Sequence, residues 1–132
     1  MIARIVGCVV VCGWLMTSVS LQAHHSLAGV YDMKKEADVK GTFVSIKLTN
    51  PHGSLTVAVK NPDGTATDWV MTTGSATTLA DRGFTKASSG LKAGDEISVK
   101  FIPARKGNLG FLKSITLADG RTIQISQGNP ND

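Results

Sequence analysis

The chain holds three histidines, and two of them, His24 and His25, are adjacent. The third, His52, closes the stretch Thr49-Asn50-Pro51-His52. Imidazole nitrogen suits copper, zinc and nickel. A chain cut after Ala23 would begin His-His-Ser, which sets a free α-amine beside two imidazoles and forms a compact nitrogen chelate. His24, His25 and His52 are therefore the candidate metal ligands, with copper or zinc as the cofactor. Asp32, Met33 and Met71 are secondary candidates, the methionine sulfurs favouring cuprous copper.

The segment before the histidine pair reads as an export signal: Arg4 as the positive start, an apolar run from Ile5 to Met16, then polar Thr17, Ser18, Ser20 and Gln22 before Ala23. That run is shorter than the roughly 20 residues a membrane span needs, so no span is expected once the signal is removed. Cleavage after Ala23 is favoured and cleavage after Ser20 is the rival, because Leu21 is bulky for its place while Ser18 and Ser20 are small. Cys8 and Cys12 lie within the signal, so the exported chain has neither a disulfide nor a cysteine nucleophile. What remains is 109 of the 132 residues, with 13 basic against 10 acidic side chains. Such a chain makes one small domain with a single core and a mild positive charge, which is poor support for dedicated nucleic-acid binding.

Residues 24–38 show no sustained period and read as an N-terminal arm. From Val39 the pattern turns to strands. Val39 to Leu48 is rich in branched apolar residues, and Leu55, Val57 and Val59 alternate with smaller or polar partners. Asn61-Pro62-Asp63-Gly64 is a hairpin turn leading to a strand with Trp69 and Met71 on one face, expected to be its core face. Gly74-Ser75 caps a short helix from Ala76 to Arg82, stopped by Gly83. Strands follow over Glu96 to Pro103 and Leu109 to Leu117, and Asp119-Gly120 turns into a last one over Thr122 to Ile125.

Three strands, a short helix and two more strands are the order of an OB-type barrel. The expected fold is therefore all-β with small α content: an OB-like five-stranded β-barrel over residues 39–126, a short helix between strands three and four, an extra C-terminal strand, and a flexible tail at 127–132. Gly41 fits a first strand that bends to serve both sides of the barrel.

Several stretches also resemble an uncharacterised family of small exported bacterial proteins, domain of unknown function family 6152. They are Ala23-His24-His25-Ser26, Thr49-Asn50-Pro51-His52, Trp69, Gly74-Ser75, Leu79, Arg82-Gly83-Phe84, Leu91-Lys92-Ala93-Gly94-Asp95 and Asp119-Gly120-Arg121, and together they cover nearly the whole exported chain. Leu27, Leu48 and Phe84 stand where the family usually shows aromatics. The resemblance implies export and fold, and brings no activity with it.

OB barrels bind ligands on a face bordered by the loop between strands one and two and the loop between strands four and five. Here those loops are Asn50 to Gly53 and Arg105 to Asn108, which makes Asn50, Arg105, Lys106 and Asn108 the candidate ligand rim. An arm of 14 steps, each spanning up to roughly 3.3 Å, lets His24 reach His52. Enzyme chemistry is poorly supported, since no serine elbow and no facing carboxylate pair is evident. The expectation is an exported, non-enzymatic binding protein of the bacterial periplasm or exterior, taking copper or another transition metal. The alternative is a metal-free module for an envelope protein or a small anionic ligand. A shortage of aromatics for stacking argues against nucleic acid as partner.

Overall fold

The computed structural model describes residues 27–126. The expected signal at 1–23, the pair His24 and His25, and the tail at 127–132 lie outside them. The elements are α1 (Leu27–Val30), β1 (Ala37–Lys47), β2 (Ser54–Lys60), β3 (Ala66–Thr72), α2 (Ala76–Asp81), α3 (Lys86–Ser89), β4 (Glu96–Pro103), β5 (Leu109–Leu117) and β6 (Thr122–Gln124).

The barrel follows from the double use of β1. Its first half, Ala37 to Thr42, pairs antiparallel with β4, and its second half, Thr42 to Lys47, pairs antiparallel with β2. The changeover falls at Thr42, next to Gly41, where a Cβ would stand 2.7 Å from Val57 Cγ1. Only glycine lets the two strands approach that closely. An extra residue at Val44 then breaks the register between Phe43 and Ser45 and bends the strand further. From β2 the chain turns through Asn61 to Thr65, with Gly64 at φ 88°, into β3. β3 meets β5 in parallel through Val70–Leu109, Met71–Gly110 and Thr72–Phe111, and this short seam closes the sheet order β3-β2-β1-β4-β5 into a five-stranded OB-like barrel. β6 is the extra strand, paired with the second half of β5.

Alternating side chains of the five strands fill the interior: Phe43, Leu55, Val57, Met71, Val99, Phe101, Leu112 and Ile115 are all buried. Leu79 of α2, together with Phe84 and Leu91, joins the same core. The single helix expected between strands three and four is two short ones. α2 starts at Ser75, whose hydroxyl accepts from Thr78 N at 3.0 Å, and the chain reverses at Gly83. α3 is held by Thr85 and Ser88, each accepting the other's backbone N–H. Serine in place of the usual Glu or Gln hides that box from the sequence.

Trp69 lies on the core face as expected, packed against the main core with its ring tilted on Phe101 at a centroid distance of 5.5 Å, though less fully buried than Met71. The arm, in turn, is packed along the barrel over its described length, despite its lack of period. Tyr31, 6% exposed, forms a second apolar cluster with Ile102 and Phe111, and Leu27, Met33 and Ala104 pack around them.

Candidate functional site

Loop 48–53, between β1 and β2, presents His52. Several hydrogen bonds brace its backbone: Thr49 Oγ1 donates to His52 O at 2.8 Å, Gly53 N to Gly74 O at 3.2 Å, and Thr73 N to Gly53 O at 3.0 Å. Ala76 N donates to Thr49 O at 3.1 Å. A Cβ on Gly53 would lie 2.6 Å from both Lys47 O and Thr73 Oγ1, so the loop closes tightly onto the strands beneath it. Two separate sequence stretches, Thr49 to His52 and Gly74-Ser75, thus form one braced corner. The imidazole of His52 is carried on this fixed backbone and is exposed to solvent.

The expected rim residues divide. Asn50 is turned inward to α2, donating from Nδ2 to Thr77 Oγ1 at 3.1 Å and accepting from Thr77 N at 3.3 Å. Arg105 holds the arm: its backbone N–H reaches Val30 O at 2.9 Å and its Nε reaches Ala28 O at 3.0 Å. Both side chains are therefore already engaged within the protein. Lys106 and Asn108 are exposed, and the carbonyl of Asn108 accepts from Val70 N at 3.0 Å.

The two rims meet at β3. Ser54, just after the His52 loop, pairs with Thr72, while the second loop bonds Val70, two residues earlier. Tyr31 bridges them. Its backbone pairs with Ala104, its ring meets Phe111 edge-on at 5.8 Å, and its hydroxyl donates to Thr72 Oγ1 at 2.8 Å. Asp32 N to Pro103 O at 2.9 Å and the ion pair of Glu36 with Lys113 fasten the rest of the arm.

The secondary metal candidates are committed elsewhere. Met71 is fully buried in the barrel core, and Met33 packs on the Tyr31 cluster. Asp32 pairs with Lys35 at 3.2 Å, and this hydrogen bond, aided by the backbone of Lys34, holds its carboxyl below the ordinary range. Among the described residues no group of three or more His, Cys, Asp or Glu is placed to hold a metal ion. His52 is the one described member of the three-histidine set.

One cavity was not foreseen, an open cleft of about 260 Å³ lined by Gly90, Asp95, Glu96, Leu117, Asp119 and Arg121. Its polar groups are engaged internally. Asp119 Oδ2 pairs with Arg121 at 2.8 Å, which depresses the Asp119 carboxyl, Glu96 pairs with Lys40 at 2.6 Å, and Asp95 accepts from Lys92 N at 2.9 Å. The Leu91-to-Asp95 and Asp119-to-Arg121 stretches thus explain themselves as turn chemistry.

The sequence pattern of a family described as a family of unknown function, DUF6152, fits residues 13–113. No curated protein matches the chain.

Proposed function

The chain belongs to DUF6152, whose function is unknown, so its own residues must carry the reading, and we propose that it is an exported, non-enzymatic binding protein of the bacterial cell envelope that takes a transition metal, copper or zinc, through His24, His25 and His52. The observation that supports this is the course of the arm. Leu27 packs on the cluster of Tyr31, Ile102 and Phe111; Phe111 lies beside Thr72, and Thr72 beside Ser54, which follows the His52 loop. Each of those strand-to-strand steps is roughly 5 Å. Leu27 is two residues from His25 and three from His24 in sequence, a stretch whose greatest possible reach is roughly 7 to 10 Å. The described arm thus packs on strands that neighbour the His52 loop, and that loop is braced by hydrogen bonds beneath an exposed imidazole, which supports the reading.

The test is titration of the exported protein with copper and zinc ions. Wild type should bind, His24→Ala/His25→Ala should lose most of that affinity, and His52→Ala should lose part of it. No difference between wild type and the double variant would refute the reading.

A further inference from the structure

We propose that Met33 is a modification site: oxidation of its thioether by a peroxide undocks the arm and uncovers Ile102 and Phe111 on the outside of the barrel. This is independent of the metal reading, since it uses neither a histidine nor a bound ion. The distribution of sulfur singles the residue out. The described residues hold no cysteine, and their sulfur is confined to Met33 and Met71. Met71 is fully buried in the barrel core, whereas Met33 is only partly buried. A thioether reacts only where the oxidant can meet it, so Met33 is the accessible one.

What Met33 touches gives that reactivity a consequence. It lies two residues after Tyr31, in a turn closed by Lys35 N donating to Asp32 O at 2.9 Å, and its side chain packs on the cluster of Tyr31, Ile102 and Phe111. The cluster is small, and it is the arm's apolar hold on the barrel. The polar hold runs beside it: Tyr31 Oη donates to Thr72 Oγ1 at 2.8 Å, Asp32 N to Pro103 O at 2.9 Å, and Arg105 N to Val30 O at 2.9 Å.

The step is a two-electron oxygen transfer. A sulfur lone pair attacks one oxygen of hydrogen peroxide, an S–O bond forms as the O–O bond breaks, and the second oxygen leaves with both protons as water. Sulfur is oxidised and the peroxide reduced. The product turns a flexible apolar side chain into a polar one with a strong acceptor oxygen. Leu27, Ile102, Ala104 and Phe111 have no side-chain donor to offer it, and the Tyr31 hydroxyl already donates to Thr72. The sulfoxide is fully hydrated only when the arm lifts, so oxidation favours the undocked state. Enzymatic reduction of the sulfoxide returns the thioether, which makes the release reversible.

The experiment treats the purified protein with hydrogen peroxide and follows peptide mass and amide exchange together. Met33 should gain one oxygen at least about tenfold faster than Met71. In the protein oxidised at Met33, exchange at the amides of Asp32 and Arg105, which bond across the docking line, should quicken by about tenfold. Amides paired between β2 and β3 should keep their protection, and methionine sulfoxide reductase should restore that of Asp32 and Arg105. Met33→Leu, close in volume, should dock the arm and ignore peroxide, while Met33→Gln should exchange quickly without it. Equal oxidation of the two methionines would overturn the proposal, as would unchanged exchange at Asp32 and Arg105 once Met33 is oxidised. The same quickening in peroxide-treated Met33→Leu would overturn it too, by placing the cause at another residue.

Discussion

The hydroxyl of Tyr31 donates to Oγ1 of Thr72 at 2.8 Å, a bond between residues 41 positions apart. The same ring rests edge-on against Phe111, the parallel neighbour of Thr72. Tyr31 therefore touches both strands of the seam that closes the barrel, and the arm is part of the fold.

Tyr31→Phe removes only that hydrogen bond and should destabilise the protein by about 1 kcal/mol in denaturant unfolding. Tyr31→Ala also empties the second cluster and should cost about 3 to 5 kcal/mol. A loss under about 1 kcal/mol for the alanine variant would mean that the arm does not dock in solution.

Gly110 faces the core at the seam, where a Cβ would lie 2.8 Å from Met71 Sδ and 2.9 Å from Phe101 Cγ. Both neighbours are fully buried and cannot swing aside. Gly110→Ala should therefore lower stability by about 1 to 3 kcal/mol, read from the shift in denaturation midpoint.

Metal and proton compete for imidazole nitrogen, so binding at the histidines should weaken as pH falls through about 6.5. Equal copper affinity in wild type and His52→Ala, measured against a competing chelator, would confine the site to the His24-His25 terminus.

Acid should act on the arm. Hydrogen bonds from Lys35 and Lys113 hold Asp32 and Glu36 below their ordinary values of 3.8 and 4.5. Lowered folded values favour the native state above the unfolded ones, and that contribution disappears as pH falls through the folded values. Neither carboxylate is buried, so the effect is small and local. Cleavage of the arm by an acid protease should accelerate below pH 3.8, and in Glu36→Gln it should be fast at higher pH as well; an unchanged profile in the variant would remove Glu36 as an anchor.

Much of the barrel was legible because its signals are local. Leu55, Val57 and Val59 alternate, Asn61 to Gly64 spells its turn, and Ser75 and Gly83 bracket α2. The arm was not, because Tyr31 is buried by Ile102 and Phe111, contacts distant in sequence that leave no period around it. Arg105 and Asn50 looked like ligand groups for the same reason. Their residue types are right for a rim, but their partners, Ala28 and Thr77, are set by tertiary structure alone. His52 was found by type, and the bracing that fixes its backbone depends on Gly74 and Thr73, some 20 residues away, which only folding brings near.

The seam has three residue pairs, against seven in the β2–β3 hairpin. Unfastened there, the ring becomes a ribbon that keeps all its other ladders, so the barrel has a preferred place to breathe. Closing it joins stretches at 70–72 and 109–111, non-local in sequence, through the shortest ladder of the closed ring, and so small a contact opens first. On a kinetic map of this protein, amide protection at Val70 to Thr72 would report opening of the ring and not the melting of the chain, with Tyr31 as the latch that sets its frequency.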